Sequence, residues 1–378
     1  MLVNNIAIFL MLFIIIINAI KTKCRFKINS IRVLLILIFL SSVITIIYSC
    51  DLGSGFKVIE KYLSFIIFPI LLQFSNIDNR KTQAVKYTFV FSVVLVFFYA
   101  LLVACYNYLD SGTTTVFNSE NLVLENRFTY HRLMGNANIS ATVFALYLVL
   151  SISILFEAFF IKRVLAHRSK GILLMIFLVL VIAVMNSFSA YLALGIIFLS
   201  TVFYVKTKAK YYLFFLIPIA LSLLFFSDKA KGIDKDIFKY NLTDDVHNKN
   251  WNSLNIRLAK WECTLSVINE TFPLGTGVGC AQSTLNEKYK ELGFQVGLDK
   301  KFSTHNQYLH YLLESGIITF SLFLLLLLYG IFNSIKKKNY FLYTILILLS
   351  ISSLTDNFLI VNKGIVFFTF FISIAAKD

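Results

Sequence analysis

Apolar residues dominate this chain in repeated runs of about 20 residues, the length at which an α-helix crosses the roughly 30 Å hydrocarbon core of a bilayer. The pattern predicts an all-α polytopic membrane protein with about 11 transmembrane helices, within a range of about 10 to 12. The predicted spans are 2–20, 31–49, 58–77, 87–107, 139–160, 172–187, 188–205, 211–227, 309–335, 340–356 and 359–376.

Two of these spans form a hairpin. The apolar stretch 171–205 is too long for one membrane helix, and the polar break Asn186-Ser187-Phe188-Ser189 at its middle predicts a turn.

Lysine and arginine concentrate in alternate loops, which face the cytoplasm by the positive-inside rule. The loops between them then face the opposite side of the membrane. The cytoplasmic basic residues are Lys21, Lys23, Arg25, Lys27, Arg32, Arg80, Lys81, Lys86, Lys162, Arg163, Arg168, Lys170, Lys206, Lys208, Lys210, Lys336, Lys337 and Lys338.

One long polar stretch interrupts the apolar pattern and defines three regions. Residues 1–227 are predicted to form a bundle of about 8 spans, residues 228–308 one large external loop, and residues 309–378 about 3 further spans. Within the loop, apolar residues recur every three to four positions over 253–272, which predicts an amphipathic helix on the membrane surface or packed on the bundle.

Composition supports the membrane class and argues against a nucleic-acid partner. The chain is 58% hydrophobic and only 15% charged, against about a quarter charged in ordinary soluble proteins. Its formal net charge is +15, but residues 228–310 hold 11 basic and 10 acidic residues. The positive charge therefore reports orientation in the membrane, and we expect no nucleic acid among the partners.

Of the five cysteines, Cys263 and Cys280 share the large loop, where they can pair in an oxidising compartment. We favour an apolar packing role for them, because cysteine is a small hydrophobic residue that is often buried. No pair has the spacing of a metal site.

Two groups of residues in the large loop can carry chemistry. Arg257 and Lys260 lie three residues apart on the amphipathic helix, so both cations can address one anion such as a phosphate. The alternative is a contact with lipid headgroups or solvent. Gly275, Gly277 and Gly279 follow Pro273 and can turn the backbone tightly enough to expose successive amides as an anion nest.

A second cluster lies where the loop returns to the membrane. His305 can accept a proton near neutral pH, and Asn306 beside it can orient a hydroxyl. His310 and Glu314 are four residues apart and share a helical face, so Glu314 is expected to pair with His310 or to line a polar cavity. Too few ligands converge for a zinc site.

The smaller external loop, 108–138, ends with Arg127, His131 and Arg132 just before a span. These residues are either anchors at the membrane interface or the second half of a phosphate clamp that faces Arg257.

The second half of the chain resembles the O-antigen ligase superfamily of bacterial membrane enzymes, which includes O-antigen ligases and the related O-antigen and capsule polymerases. The motifs that carry this resemblance are Arg257-Leu258-x-x-Trp261, Pro273-Leu274-Gly275-x-Gly277-x-Gly279, His305-Asn306-x-x-Leu309, Glu314-x-Gly316, and Asp356-Asn357-x-Leu359 near the last span. Many members carry an arginine at an outer turn where this chain has Ser187-Phe188-Ser189, so Arg127 or Arg132 is the candidate replacement.

The resemblance implies a metal-independent, inverting glycosyl transfer without a cofactor on the periplasmic face of the inner membrane. The donor would be a glycan on undecaprenyl diphosphate, and the acceptor a hydroxyl of lipid A-core, or of another repeat unit in a polymerase. On this basis His305 and Arg257 are the expected catalytic residues, and the substrate-binding residues are Arg132, Arg127, Lys260, Asn306 and Glu314.

Two other classes remain open at this stage. A polysaccharide flippase or exporter would also be basic and polytopic, but it needs cations along a path through the spans, whereas here they lie at the edges of loops. A non-catalytic membrane scaffold would make the clustering of Arg257 and His305 a coincidence.

Overall fold

Helices make up almost all of the regular structure in the computed structural model. The structure describes residues 29–74, 78–110, 128–162, 168–185, 187–201, 239–245 and 251–376, with isolated positions at 17, 117–118, 123–124 and 204. Within these ranges the all-α prediction is confirmed, with one two-residue antiparallel pairing, β1 (Phe117–Asn118) with β2 (Val123–Leu124).

The helices follow the predicted apolar runs closely. In chain order they are α1 (Ser30–Ile44), α2 (Leu52–Tyr62), α3 (Ser64–Phe74), α4 (Asn79–Asp110), α5 (Tyr130–Gly135), α6 (Ala141–Phe156), α7 (Arg168–Met185), α8 (Phe188–Thr201), α9 (Ser253–Thr271), α10 (Ala281–Glu291), α11 (Gln295–Lys300), α12 (Gln307–Lys336), α13 (Tyr340–Thr355) and α14 (Asn362–Ala375). Short 3₁₀ turns cover Thr45–Tyr48 and Phe358–Ile360, and a π turn covers Glu157–Ile161.

Local sequence explains several helix starts. An Asn or Asp at the N-cap accepts hydrogen bonds from the first free backbone amides, which would otherwise lack a partner. The five residues that cap in this way are Asn29, Asp51, Asn252, Asn306 and Asn339.

Four helical stretches in the described part of the chain are long and apolar enough to cross a membrane: Ser30–Tyr48, Asn79–Asp110, Ala141–Ile161 and Gln307–Lys336. Shorter apolar helices match four more predicted spans, and the predicted polar break lies where α7 ends at Met185 and α8 begins at Phe188. The predicted span 58–77 instead contains α3 and the end of α2, which are interrupted at Leu63. Apart from position 17, spans 2–20 and 211–227 lie outside the described residues, so the total of about 11 stays a prediction.

Contacts divide the chain into two compact units. The first contains the described parts of 1–77, 233–342 and 352–378, and the second those of 78–232 and 343–351. In the second unit, α6 is mostly buried, and Glu157 at its end accepts a hydrogen bond from Lys86 at 2.6 Å. Both side chains of this pair are only 7% exposed.

The polar stretch of the first unit is a helical insertion, which we define as residues 239–245 and 251–305. Its core is formed by one face each of α9 and α10 together with residues after α10, and Leu313 of α12 joins it. The amphipathic helix predicted over 253–272 is therefore confirmed as α9, and it packs against protein. Lys288 of α10 also bonds Glu270 of α9 at 2.6 Å, which ties the two helices together.

The cysteine pairing left open by the sequence is corrected by the structure. Cys280 forms a disulfide with Cys50, which precedes α2, and their Cα atoms are 5.7 Å apart. The possible pairing of Cys263 with Cys280 is therefore wrong. Cys263 is fully buried in the core of the insertion, the packing role that we expected for it.

The glycine-rich loop 273–279 packs against a break in α12. Gly316 has a positive φ of 70°, and a Cβ placed there would lie 2.3 Å from the carbonyl oxygen of Pro273. At the break the carbonyl oxygens of Leu313 and Glu314 accept hydrogen bonds from the amides of Thr276 and Gly277, at 2.8 and 2.9 Å. The loop thus completes the hydrogen bonding that the interrupted helix cannot supply itself.

This packing corrects the predicted anion nest. The Gly275 amide donates to the carbonyl oxygen of Thr271, and the Gly279 amide donates to the hydroxyl of Ser49. With the bonds of Thr276 and Gly277 described above, these amides all have protein acceptors. These amides are not free to bind a phosphate. The glycines are needed because two segments of backbone approach each other closely.

Candidate functional site

The N-terminus of α12 positions the predicted base. Oδ1 of Asn306 accepts hydrogen bonds from the amides of Tyr308 and Leu309, at 3.0 and 3.1 Å, and so starts the helix. His305 immediately before it has a φ of 47°, a left-handed conformation that costs a residue other than glycine about 1–3 kcal/mol. Such strain persists only where neighbouring contacts hold the backbone in place.

Asn357, which follows α13, supplies those contacts. Its side-chain amide donates to Thr304 Oγ1 at 3.3 Å, and its side-chain carbonyl accepts from Ser303 Oγ at 3.3 Å. Thr304 Oγ1 also donates to the carbonyl oxygen of Asn306 at 3.2 Å. The turn that carries His305 is therefore held by hydrogen bonds to the residues that precede and follow it in the chain.

Asp356 acts on the imidazole directly. Its Oδ1 lies 3.4 Å from Nδ1 of His305, and both side chains are about one third exposed. Phe302 packs its ring edge-on against the imidazole, with centroids 6.2 Å apart. One ring nitrogen thus faces a carboxylate, and the other is left for a different partner.

Two cations on α9 complete the cluster. Lys260 is only 3% exposed, and its Nζ lies 4.5 Å from the centroid of the Phe302 ring. Arg257 is half-buried one turn earlier, close enough for its charge to affect both Lys260 and His305. We call Arg257, Lys260, His305 and Asp356 the Arg–His cluster.

Burial and the charges within the Arg–His cluster shift the pKa values of two of its members. Burial, together with the positive charges of Lys260 and Arg257, lowers the pKa of His305 to about 4, although Asp356 opposes the shift. Burial and the charge of Arg257 lower the pKa of Lys260 to about 7, again against Asp356. At neutral pH His305 is therefore a neutral imidazole, and Lys260 is poised between its charged and neutral forms.

The second predicted pair, His310 and Glu314, lies on one face of α12, as its spacing indicated. His310 Nε2 is 3.4 Å from Glu314 Oε1, and the other carboxylate oxygen, Oε2, accepts a hydrogen bond from Tyr62 at 2.8 Å. Tyr62 lies in α2, inside what the sequence indicated as a span, and no local signal pointed to it. Glu314 is only 2% exposed.

The structure describes two of the three remaining residues that were predicted to bind substrate. Asn306 is a helix cap whose side-chain oxygen already accepts two amides. Arg132 is exposed in α5, which belongs to the other compact unit, and Arg127 lies outside the described residues. Asp356 appeared in the sequence only within a motif near the last span, and only the fold pairs it with His305.

Metal ligation has no candidate in the part of the chain that the structure describes. No group of three or more His, Cys, Asp or Glu side chains is gathered there as a metal site would require.

Two comparisons relate this chain to known proteins. A family model described as O-antigen ligase matches residues 171–324, which include α7, α8, the helical insertion and the first half of α12. A curated protein of Haemophilus influenzae, described as uncharacterized, is 26% identical over 311 residues, which are 80% of this chain and 71% of the relative. Arg257, Lys260, His305 and Glu314 all lie inside the matched region. The match over residues 171–324 supports the resemblance of this chain to the O-antigen ligase superfamily.

Proposed function

We propose that this protein is an inverting, metal-independent glycosyltransferase of the O-antigen ligase type, which moves a glycan from undecaprenyl diphosphate to a hydroxyl of lipid A-core. The observation that carries the proposal is the Arg–His cluster, in which a neutral imidazole backed by a carboxylate lies beside two cations. A diphosphate leaving group needs fixed positive charge, and an acceptor hydroxyl needs a base. The cluster supplies both at one place.

The transfer is a single displacement. The acceptor oxygen attacks the anomeric carbon of the donor sugar while its proton passes to Nε2 of His305. The bond between that carbon and the diphosphate oxygen breaks, and its electron pair leaves with the diphosphate. Arg257 and Lys260 neutralise the charge that develops there, and attack opposite the leaving group inverts the anomeric carbon.

Asp356 and Asn306 act on the base rather than on the substrate. Asp356 faces Nδ1 and stabilises the imidazolium as it forms, in the manner of a catalytic triad carboxylate. Asn306 starts α12 and so fixes the backbone on which His305 stands. Arg132 and Arg127 remain candidates for additional diphosphate contacts, and Glu314 for orienting the acceptor.

The proposal places the active site on the periplasmic face of the inner membrane. Loop 228–308 then lies outside, between an N-terminal bundle (1–227) and the C-terminal spans (309–378). The disulfide between Cys50 and Cys280 supports this orientation, because disulfides persist in oxidising compartments such as the periplasm. The charge distribution of the loops predicts the same side.

The direct test uses the full chain reconstituted in proteoliposomes with the host's lipid-linked glycan and lipid A-core. We expect Arg257→Ala and His305→Ala to lower the transfer rate by about a hundredfold or more. Lys290→Ala, which removes an exposed cation from the same helical insertion, is the matched control and should retain full activity. If both site variants insert normally and transfer at the wild-type rate, the assignment of the site is wrong.

A deletion strain separates the alternatives. A ligase deletion leaves long chains on the carrier and uncapped lipid A-core. Loss of a polymerase leaves single repeats on lipid A-core, and loss of a flippase traps lipid-linked repeats on the cytoplasmic leaflet. The first phenotype supports the proposal, and either of the others replaces it.

A further inference from the structure

The motif Asp356-Asn357-x-Leu359 lies in the connection between α13 and α14, and its first residue belongs to the Arg–His cluster. The rest of this connection hydrogen-bonds the segment 303–307, which carries His305 into α12. The bonded residues that are buried, each at most 3% exposed, are Asn357, Leu359, Thr304 and Gln307. Because water has little access to these hydrogen bonds, they are stronger than equivalent bonds at the surface.

Asn357 contacts Asp356 directly and His305 through the chain. Its backbone amide donates to Oδ1 of Asp356 at 2.8 Å, and this is the oxygen that lies 3.4 Å from Nδ1 of His305. Its side chain bonds Ser303 and Thr304, the two residues that immediately precede His305, at 3.3 Å each. One buried residue therefore sets the position of the carboxylate relative to the imidazole.

Gln307 joins the same two segments on the other side of His305. Its Oε1 accepts a hydrogen bond from the backbone amide of Leu359 at 2.9 Å, and neither residue is more than 1% exposed. The turn is thus held before and after the imidazole. These contacts stabilise the left-handed backbone of His305, a strained conformation that persists only where the surroundings enforce it.

The position of the ring decides how His305 can act. With a carboxylate at Nδ1, that nitrogen carries the proton of the neutral imidazole, and Nε2 keeps the electron pair that accepts a proton. A misplacement of a reacting group by about 1 Å can lower a rate by about a hundredfold. Residues that hold the ring without touching a substrate therefore affect the rate of proton transfer more than the binding of substrate.

We infer that Thr304, Gln307 and Asn357 are positioning residues for His305, and we call these three residues the Asn357 network. They keep Nδ1 of the imidazole on Asp356 and leave Nε2 for the acceptor hydroxyl. The inference rests on the proposed function and adds to it the residues that hold the base. The two cations that face the diphosphate lie on α9, outside the network, so donor binding should not depend on it.

Transfer kinetics of the full chain in proteoliposomes test the network with variants of matched shape. Thr304→Val keeps the shape of the side chain but removes the hydroxyl, whereas Thr304→Ser keeps the hydroxyl. We expect Thr304→Val, Gln307→Met and Asn357→Ala to lower kcat at least about tenfold, with both KM values within about twofold of the wild type. Thr304→Ser should restore kcat to within about threefold of the wild type. Thr369→Val, the same change at a buried threonine of α14, is the control and should retain full activity.

A second background separates positioning of the base from a general loosening of the site. In His305→Ala protein the network has no imidazole to hold, so the addition of Thr304→Val should leave the residual transfer rate unchanged. A further loss of about tenfold in the double variant overturns the inference, as do equal kcat values for Thr304→Val and Thr304→Ser. A raised KM with a normal kcat in Thr304→Val overturns it as well.

The pKa of His305 gives a readout that needs no activity. It is measured by NMR of histidine-labelled protein in detergent, with His305→Ala to assign the resonance. Burial is the largest cause of the low pKa of about 4, so a turn released by Thr304→Val should admit water and raise this pKa toward its usual value. Thr304→Ser should leave the pKa at about 4. An unchanged or lower pKa in Thr304→Val overturns the inference.

The two proposals can fail separately. If Thr304→Val raises the pKa of His305 and Thr304→Ser does not, while the wild type transfers no glycan, the network still holds the imidazole and the transferase proposal fails. If His305→Ala removes most of the transfer activity while Thr304→Val changes neither kcat nor the pKa, the transferase proposal stands and the network fails.

Discussion

His305 and Asp356 meet across the first compact unit, with Nδ1 of the imidazole 3.4 Å from Oδ1 of the carboxylate, although α12 and α13 separate them in the chain. The carboxylate is the one group of the cluster that raises the pKa of His305, against burial and two cations. Burial lowers the pKa of His305, so the imidazole is neutral at neutral pH, whereas Asp356 raises that pKa and so favours the acceptance of a proton.

Asp356→Asn tests this relationship. The variant keeps the shape of the side chain but removes the charge, so the pKa of His305 falls further and the imidazolium loses its counter-charge. We expect kcat to fall by about a factor of 10 to 100, with the donor KM changed by less than about twofold. Asp299→Asn removes an exposed carboxylate from α11 and should change neither value. A normal kcat in Asp356→Asn would exclude Asp356 from any role in proton transfer.

The pH dependence of kcat/KM reports the pKa values of essential groups in the free enzyme, and it should show one acidic and one alkaline limb. Activity rises as pH increases through about 4, where His305 loses its proton, and falls above about 7, where Lys260 loses its charge. Lys260→Arg keeps a cation at all of these values, because arginine does not deprotonate, and should remove the alkaline limb. Persistence of that limb in Lys260→Arg would show that another group causes it.

Lys260 should also lower the stability of the protein. Its pKa falls from 10.5 to about 7 on folding, so the unfolded chain holds the proton more tightly and folding stability decreases as pH falls from about 10.5 to 7. Lys260→Met removes this penalty but loses a cation–π contact worth about 1 kcal/mol.

We therefore expect Lys260→Met to raise the Tm by several degrees at pH 6.5, and by less at pH 9, while transfer activity decreases. Thermal unfolding in detergent at the two pH values checks this. A larger gain at pH 9 than at pH 6.5 would contradict the assigned shift.

Gly316→Ala tests the packing of the glycine-rich loop against the broken helix. The residue has a positive φ, and an added Cβ would meet the Pro273 carbonyl oxygen at 2.3 Å, so the loop or the helix must move. We expect a loss of about 2 kcal/mol or more in stability and a strong loss of transfer activity. Gly195→Ala is the matched control, because a Cβ there has no neighbour within 4 Å and alanine favours a helix.

Thermal unfolding in detergent and the transfer assay compare the two variants. Equal Tm values for Gly316→Ala and Gly195→Ala would exclude a close approach of the loop to the break.

Alkylation and mass spectrometry test the disulfide. In denatured, unreduced protein from native membranes, Cys50 and Cys280 should resist a thiol reagent, whereas Cys263 should react. In a host that lacks periplasmic thiol oxidation, Cys50 and Cys280 should both react. Cys263→Ser should leave the pairing intact. Free thiols at Cys50 and Cys280 in the oxidising host would contradict both the pairing and the proposed orientation.

Several features could be predicted because they depend on short stretches of sequence. The apolar runs identified the membrane helices, and the break at 186–189 identified where α7 ends and α8 begins. The spacing within 253–272 identified α9, because burial of a helix face imposes a local period. The ordered motifs around Arg257, His305 and Glu314 pointed to the superfamily without any coordinates. The anion nest failed because the amides of a glycine loop can bind ligand or protein equally well, and only the fold shows which.

The sequence by itself therefore predicted most of the described helices, and it pointed to a family and to the charged residues that we propose as its site. The tertiary structure alone decided the partners: Asp356 for His305, Tyr62 for Glu314, and Cys50 for Cys280. Each of these pairs joins segments that are far apart in the chain. A local pattern determines a local conformation, whereas a contact, a buried charge or a shifted pKa depends on which distant segments pack together and exclude water.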